Sequence, residues 1–85
     1  MITNNMGTVI VGSANLQTSV ANAEIISSDT RVINLSIINN SDCHMIINGS
    51  NSIFIRANQG LLIDVCHSLK IVEAGIVFNW TGQKA

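Results

Sequence analysis

Hydrophobic and polar residues alternate over short stretches of this chain, and segments rich in Asn, Ser and Gly separate those stretches. The alternation is clearest at 31–38. There, Ile33, Leu35 and Ile37 share one face of an extended chain, and polar residues lie between them. A period of two residues is typical of a half-buried β-strand. The pattern therefore predicts a strand over this segment, with the three aliphatic residues on a common face.

The same alternation, bounded by turn-forming residues, predicts further strands. In the segment after Asp42, Cys43, Met45 and Ile47 fall on one face. The pair Asn48-Gly49 then predicts a tight hairpin turn, because both residues tolerate positive φ. The predicted strands besides 31–38 cover residues 7–11, 43–47, 52–56, 61–65, 68–72 and 76–81.

The last predicted strand shows the pattern again, with Ile76, Phe78 and Trp80 on one face. The three residues 73–75 precede it and end in glycine. Three-residue hairpin loops often end in a left-handed glycine. The sequence therefore predicts a hairpin that joins 68–72 to the last strand.

Residues 1–24 are the least regular part of the chain. Leu16, Val20 and Ala23 fall at helical spacing, which is compatible with one or two helical turns. An extended arm fits the same residues equally well. We therefore expect a single β domain over 1–85, whose first 24 residues form an extended or partly helical arm.

The predicted elements together define the fold class. Ile and Val dominate the apolar residues and Pro is absent, which favours a pleated surface. Short strands with turn signals every few residues are typical of sandwiches and barrels. We predict an all-β fold, a compact β-sandwich or small barrel of six to seven short antiparallel strands.

Composition narrows the classes of function. Charged residues make up 11% of the chain and the net charge is −1. Four scattered basic residues do not neutralise a row of phosphates, so no nucleic-acid partner is expected. We also expect no membrane-spanning segment and no secretory leader, because no apolar run approaches about 20 residues and no basic, apolar start is visible.

Two Cys-His dipeptides, Cys43-His44 and Cys66-His67, supply residue types that zinc favours. Adjacent residues of a strand point to opposite faces, so one dipeptide does not readily give both ligands to one ion. A Cys43–Cys66 disulfide is sterically conceivable, but without an export signal reduced thiols are expected. A Cys-His nucleophile pair would need an orienting group that the sequence does not nominate. We predict no metal-binding, cofactor-binding or catalytic residue.

Other polar and aromatic residues have ordinary structural explanations. Asp42, Asp64 and Glu73 lie near strand ends, where turn formation and solvation explain them better than a catalytic carboxylate pair. Phe78 and Trp80 fit a core face better than a stacking platform. Histidines titrate near neutral pH, so the two in this chain are either ordinary surface residues or pH-sensitive groups at a subunit interface.

The C-terminal half of the chain carries a recognisable pattern. It contains an Ile-Asn-Gly hairpin at 47–49, an Ala-Asn-Gln-Gly turn at 57–60, and an ending Lys-Ile-Val-Glu-Ala-Gly … Trp-Thr-Gly at 70–82. In these features it resembles small structural proteins of tailed bacteriophage particles. The resemblance implies a virion component, assembled in the host cytoplasm and displayed on a capsid, head fibre or tail. It implies no functional residues, because such proteins act through their surfaces.

We therefore expect a non-enzymatic virion structural protein that decorates, joins or stabilises a capsid, head fibre or tail. Its expected partners are other copies of itself and other virion proteins, with no small-molecule substrate. Apolar residues on both faces of several strands, as at Ile37-Ile38 and Leu61-Leu62, favour association. In a closed barrel, such residues would instead lie singly on the surface. The alternative function is a stand-alone binding module, for carbohydrate for example, that uses an exposed Trp80 or Phe54.

Overall fold

Two antiparallel sheets pack face to face in this protein, and every strand is short. The computed structural model describes residues 10–12 and 16–84. A 3₁₀ turn at Ser28–Thr30 is the one helical element in this described part. The described strands, in chain order, are β1 (Ile10–Gly12), β2 (Gln17–Thr18), β3 (Glu24–Ile26), β4 (Val32–Asn39), β5 (Cys43–Ile47), β6 (Ile53–Ile55), β7 (Leu61–Cys66), β8 (Leu69–Ile71) and β9 (Val77–Lys84).

One sheet has five strands and the other has four. In the five-stranded sheet the order is β1-β9-β4-β7, and β2 pairs with β9 next to β1. In the four-stranded sheet the order is β3-β8-β5-β6. All described neighbours are antiparallel. The predicted all-β class is confirmed, and of its two forms the protein adopts the sandwich, with nine described strands where six to seven were predicted.

The core lies between the sheets and takes residues from both. Each fully buried aliphatic side chain contributes about 1.5–3 kcal/mol relative to an exposed one. The predicted faces of β5 and β9 are confirmed, since Cys43, Met45 and Phe78 are buried and Trp80 packs against them. The buried apolar residues are Ile26, Val32, Leu35, Ile37, Cys43, Met45, Ile55, Cys66, Leu69, Ile71, Ile76 and Phe78.

The predicted face of β4 is wrong at one residue. The register between β4 and β9 shifts between the pairs at Ile33 and Ser36, and Asn34 there has a φ of 51°. This bulge inserts an extra residue, so Val32 enters the core in place of Ile33. Gly82 lies opposite the bulge, where a Cβ atom would collide with Val32 Cγ1.

The two predicted turns have different outcomes. Asn48 and Gly49 have φ values of 52° and 74°, and the Ser50 N–H donates to Ile47 O at 2.9 Å. This confirms the predicted tight turn with two positive φ angles. The predicted hairpin at 73–75 is wrong, because β8 and β9 belong to different sheets.

Ser19 explains why 73–75 connects the sheets without forming a hairpin. Its Oγ donates to Glu73 O at 2.7 Å and accepts from the Ile76 N–H at 2.9 Å. Its backbone O accepts from the Gly75 N–H, also at 2.9 Å. These long-range bonds hold residues 73–76 against the segment after β2. The local sequence of 73–75 gives no indication of this partner.

The chain is mainly extended at 16–26, and the 3₁₀ turn at Ser28–Thr30 follows before β4. Residues 17–18 and 24–26 form strands, and no helical turn is present at 16–26. Leu16 and Val20 are exposed, so a helix there would have no apolar face to bury. The rest of the predicted first strand, 7–9, lies outside the described residues.

Candidate functional site

Exposed aliphatic residues form a strip on the outer face of the five-stranded sheet. Leu62 is 85% exposed, and Ile38 and Val65 are also exposed. Val65 lies opposite the half-buried Ile33 in the pairing of β4 with β7. We call Ile33, Ile38, Leu62 and Val65 the apolar strip. Several exposed aliphatic side chains on one sheet commonly mark a contact surface.

The strip lies beside an edge of the sheet. Among the described strands, β7 pairs with β4 on one side and ends the strand order on the other. Its six residues include no Pro, Lys or Arg, which are common protectors of strand edges. Asn48 covers its C-terminal end, since its Nδ2 donates to Val65 O at 2.9 Å and its Oδ1 accepts from the His67 N–H at the same distance.

The outer face of the four-stranded sheet carries a different group of residues. His44 Nδ1 lies 2.6 Å from Glu73 Oε2, and the His44 backbone N–H donates to Glu73 Oε1 at 2.8 Å. The rings of His44 and Phe54 are 5.3 Å apart and tilted by 57°. We call His44, Phe54 and Glu73 the His44 cluster.

Electrostatics in the His44 cluster favour an ionised carboxylate. Partial burial raises the pKa of the Glu73 carboxyl, but hydrogen bonds from the backbone and ring of His44 lower it more. The net result is a pKa below the usual range of a glutamate. An ionised carboxylate only accepts hydrogen bonds, so Nδ1 of the ring carries the donated proton. The pair therefore fixes the orientation of the imidazole.

The Cys-His dipeptides split between the core and the surface, as strand geometry predicts. Cys43 and Cys66 are free thiols in the core, while His44 and His67 reach the surface. Burial, and next the charge of Glu73, raise the pKa of Cys43, and burial raises the pKa of Cys66. Both thiols therefore stay protonated near neutral pH. Within 10–12 and 16–84, no three His, Cys, Asp or Glu residues are grouped to hold a metal ion.

The three carboxylates considered for catalysis have separate surroundings. Asp42 Oδ1 accepts from the Ala57 N–H at 2.8 Å, which is the turn-stabilising role that its position predicts. Asp64 is exposed on β7, and Glu73 binds His44. The structure gives these three side chains no common hydrogen-bond partner.

Trp80 lines two neighbouring clefts at the open side of the sandwich, of about 500 Å³ and about 340 Å³. Gly12 and Ile25 line both clefts as well. Volumes of this size fall in the range of small-molecule sites. Phe78 is buried and Trp80 half-buried against the core, as expected for a core face. Four charged residues also line one or the other cleft, namely Glu24, Asp29, Arg31 and Lys84.

Sequence reasoning missed the contacts that organise these surfaces. The bond between His44 and Glu73 spans 29 positions, and no local pattern indicates it. Asn39 is fully buried, and the alternation through Leu35 and Ile37 places it on the core face. That signal was available in the sequence, because a polar residue in phase with core positions indicates a buried hydrogen-bonding role.

No helix in the part of the chain that the structure describes is long and apolar enough to cross a membrane. Comparisons with protein-family models, with curated proteins and with solved structures found no match. The surfaces described above are therefore the basis for assigning a function.

Proposed function

We propose that this chain is a non-enzymatic structural protein that acts by binding other proteins through the outer face of its five-stranded sheet. The observation that carries the proposal is the apolar strip. Leu62 and Ile38 expose hydrocarbon while the core is already complete without them. These side chains contribute little to the core and remain in contact with water. Their burial at an interface with another protein would be favourable.

The polar part of the surface supports the same proposal. Only 11% of the residues are charged, and uncharged Asn, Ser and Thr supply most of the polarity. Interface cores are depleted in charge relative to the rest of a protein surface. A surface of this composition is desolvated at lower cost than one rich in Lys and Glu.

The particle that we propose is a tailed-phage virion, on the strength of the resemblance in the C-terminal half. Two segments that carry the resemblance, the turn at 47–49 and the turn at 57–60, are surface turns at the ends of strands. In this proposal the domain decorates, joins or stabilises a capsid, head fibre or tail, and its partners are virion proteins and other copies of itself.

Quantitative mass spectrometry of purified particles tests the proposal. We expect the chain at a fixed copy number per particle, retained through density-gradient purification. A tagged Ile38→Lys variant, which charges the apolar strip, should be incorporated less than the wild type. Val20→Lys is the matched control, since Val20 is also aliphatic and exposed but lies outside the strip. Recovery of the wild type only from the soluble lysate contradicts the proposal.

A second candidate function is a binding module that holds a carbohydrate in the clefts at Trp80. The observation that favours it is the combination of an indole surface with charged side chains and a cleft of about 500 Å³. Glycan-array binding by the isolated domain, lost in Trp80→Leu and retained in Phe54→Leu, would support this alternative. Absence of glycan binding by the wild type would reject it.

A further inference from the structure

We infer that a second copy of this chain adds to the five-stranded sheet at the edge of β7, with the two β7 strands antiparallel about a two-fold axis at Leu62. The inference deepens the proposed function, because it names one partner and the strand that binds it. A sheet edge presents backbone donors and acceptors that another strand satisfies well.

β7 is the best suited of the described edges. It is six residues long, whereas the edges of the four-stranded sheet, β3 and β6, have three residues each. β3 also carries a register shift against β8. The edge opposite β7 is divided into β1 and β2, which pair with separate parts of β9. Of the edges that the structure describes, β7 therefore offers the longest continuous one.

Side-chain chemistry selects the register. When two β7 strands pair about a two-fold axis normal to the sheet, residues opposite each other lie on the same face of the extended sheet. Leu62 must therefore lie opposite another outward-facing residue. With the axis at Leu62, the two Leu62 side chains face each other and Leu61 faces Ile63 of the second copy. Asp64 then faces Gly60 of the second copy, where no side chain opposes its carboxylate. Moving the axis to Ile63 places Asp64 against Leu62 of the second copy.

Asn48 limits the length of this pairing. Its Nδ2 already donates to Val65 O, so the end of β7 is occupied within the chain. The free edge of β7 therefore consists of four residues, 61–64, which is shorter than an average strand. Such an interface falls below the standard size, and the dimer is therefore weak in solution. Weak pairing suits a component that is fixed by several contacts in a larger assembly.

Cross-linking in solution tests the register. In Leu62→Cys the two new thiols lie opposite each other, with Cβ atoms about 4.5–5.5 Å apart. A short bifunctional maleimide should convert this variant to a covalent dimer at least about tenfold faster than Leu16→Cys. Leu16 is a matched control, since it is also exposed but lies beside β2. The native thiols do not compete, because both are buried.

Sedimentation velocity of the full chain gives an independent readout. We expect concentration-dependent dimerisation between about 10 µM and 1 mM, the range for an interface below standard size. Leu62→Lys should weaken the dimer at least about tenfold, because like charges then face each other, whereas Leu16→Lys should not. A wild type that stays monomeric, or a dimer indifferent to Leu62→Lys, overturns the inference. Either result leaves particle incorporation, and with it the proposed function, to be judged separately.

Discussion

The two sheets of this sandwich turn different surfaces to solvent. The outer face of the five-stranded sheet carries exposed aliphatic side chains, above all Leu62. The outer face of the four-stranded sheet carries the hydrogen-bonded pair of His44 and Glu73 next to Phe54, and it places Lys70 opposite Glu24 in register. Opposite charges at facing positions stabilise a sheet in water, whereas exposed leucine does not.

Folding of the domain does not require this difference. A two-layer sandwich needs one apolar face from each sheet, and both sheets supply one here, with Leu35 and Ile37 from the first and Met45 and Ile71 from the second. The outer faces can therefore differ without affecting the core. The composition of each outer face indicates whether it contacts water or another protein. The polar surroundings of Glu73 and Lys70 are suited to water, and the apolar strip to a protein surface.

The largest effect that we predict comes from the residue that ties the two sheets together. Asn39, at the end of β4, donates from Nδ2 to Ser41 O and Arg56 O, both at 2.9 Å, and accepts at Oδ1 from the Gly60 N–H at 3.2 Å. Asn39→Ala removes these buried and partly buried bonds and leaves backbone groups unsatisfied. The free energy of unfolding should fall by about 3 kcal/mol in urea denaturation.

Asn40→Ala is the matched control for this change. Asn40 is the next residue in the chain and is exposed, so its replacement should cost less than about 0.5 kcal/mol. If Asn39→Ala lowers the free energy of unfolding no more than the control does, Asn39 does not tie the two sheets together. The two sheets would then be stable without this link.

The next largest effect should be confined to the five-stranded sheet. Gly82→Ala drives a methyl group into Val32 Cγ1 and toward the backbone of the β4 bulge. Overpacking of this kind costs about 2 kcal/mol. Adding Val32→Ala should recover part of the loss, which a double-mutant cycle measures by chemical denaturation. A harmless Gly82→Ala would mean that the bulge is not held tightly against β9.

The regular elements of this fold were predictable from the sequence, and the contacts between distant segments were not. Alternation located β5 at 43–47 and assigned its inward face correctly, because a period of two is a local property. The bulge at Asn34 and the connection at 73–75 depend on partners elsewhere, namely Gly82 and Ser19. No local pattern indicates such partners, so the expected face at Ile33 and the expected hairpin were wrong.

The candidate surfaces show the same limit. The adjacent apolar pairs Ile37-Ile38 and Leu61-Leu62 indicated two members of the apolar strip, since a two-layer fold hides only one face of each strand. The strand order is needed to show which of these residues are exposed. It is also needed to show that they lie on or beside the edge strand β7. The His44 cluster depends on a contact across 29 positions.

A smaller effect is expected in the four-stranded sheet, at the turn between β5 and β6. Gly49→Val should lower the free energy of unfolding by about 1 kcal/mol, because a β-branched residue resists the positive φ of 74°. The cause is backbone strain alone, since no heavy atom lies within 4 Å of the site of the new Cβ. Gly49→Asn should be nearly neutral, because asparagine tolerates this conformation. Equal midpoints for the valine and asparagine variants in urea would contradict the assignment.

The smallest effect concerns the charged outer face, and it depends on pH. Because the pKa of Glu73 is lower in the folded protein than its ordinary value near 4.3, its stabilising contribution is present above about pH 5 and is lost as the pH falls through the lowered pKa. The side chains of His44 and Glu73 are 45% and 37% exposed, so solvent screening keeps this contribution below about 1 kcal/mol. Glu73→Gln should therefore be slightly less stable than the wild type at pH 6, and the difference should close as the pH falls through the lowered pKa. Asp64→Asn removes a carboxylate from the other sheet and serves as the control. A stability gap between Glu73→Gln and the wild type that does not close toward acid pH would show that the carboxylate acts there by shape and hydrogen bonding, and not by its charge.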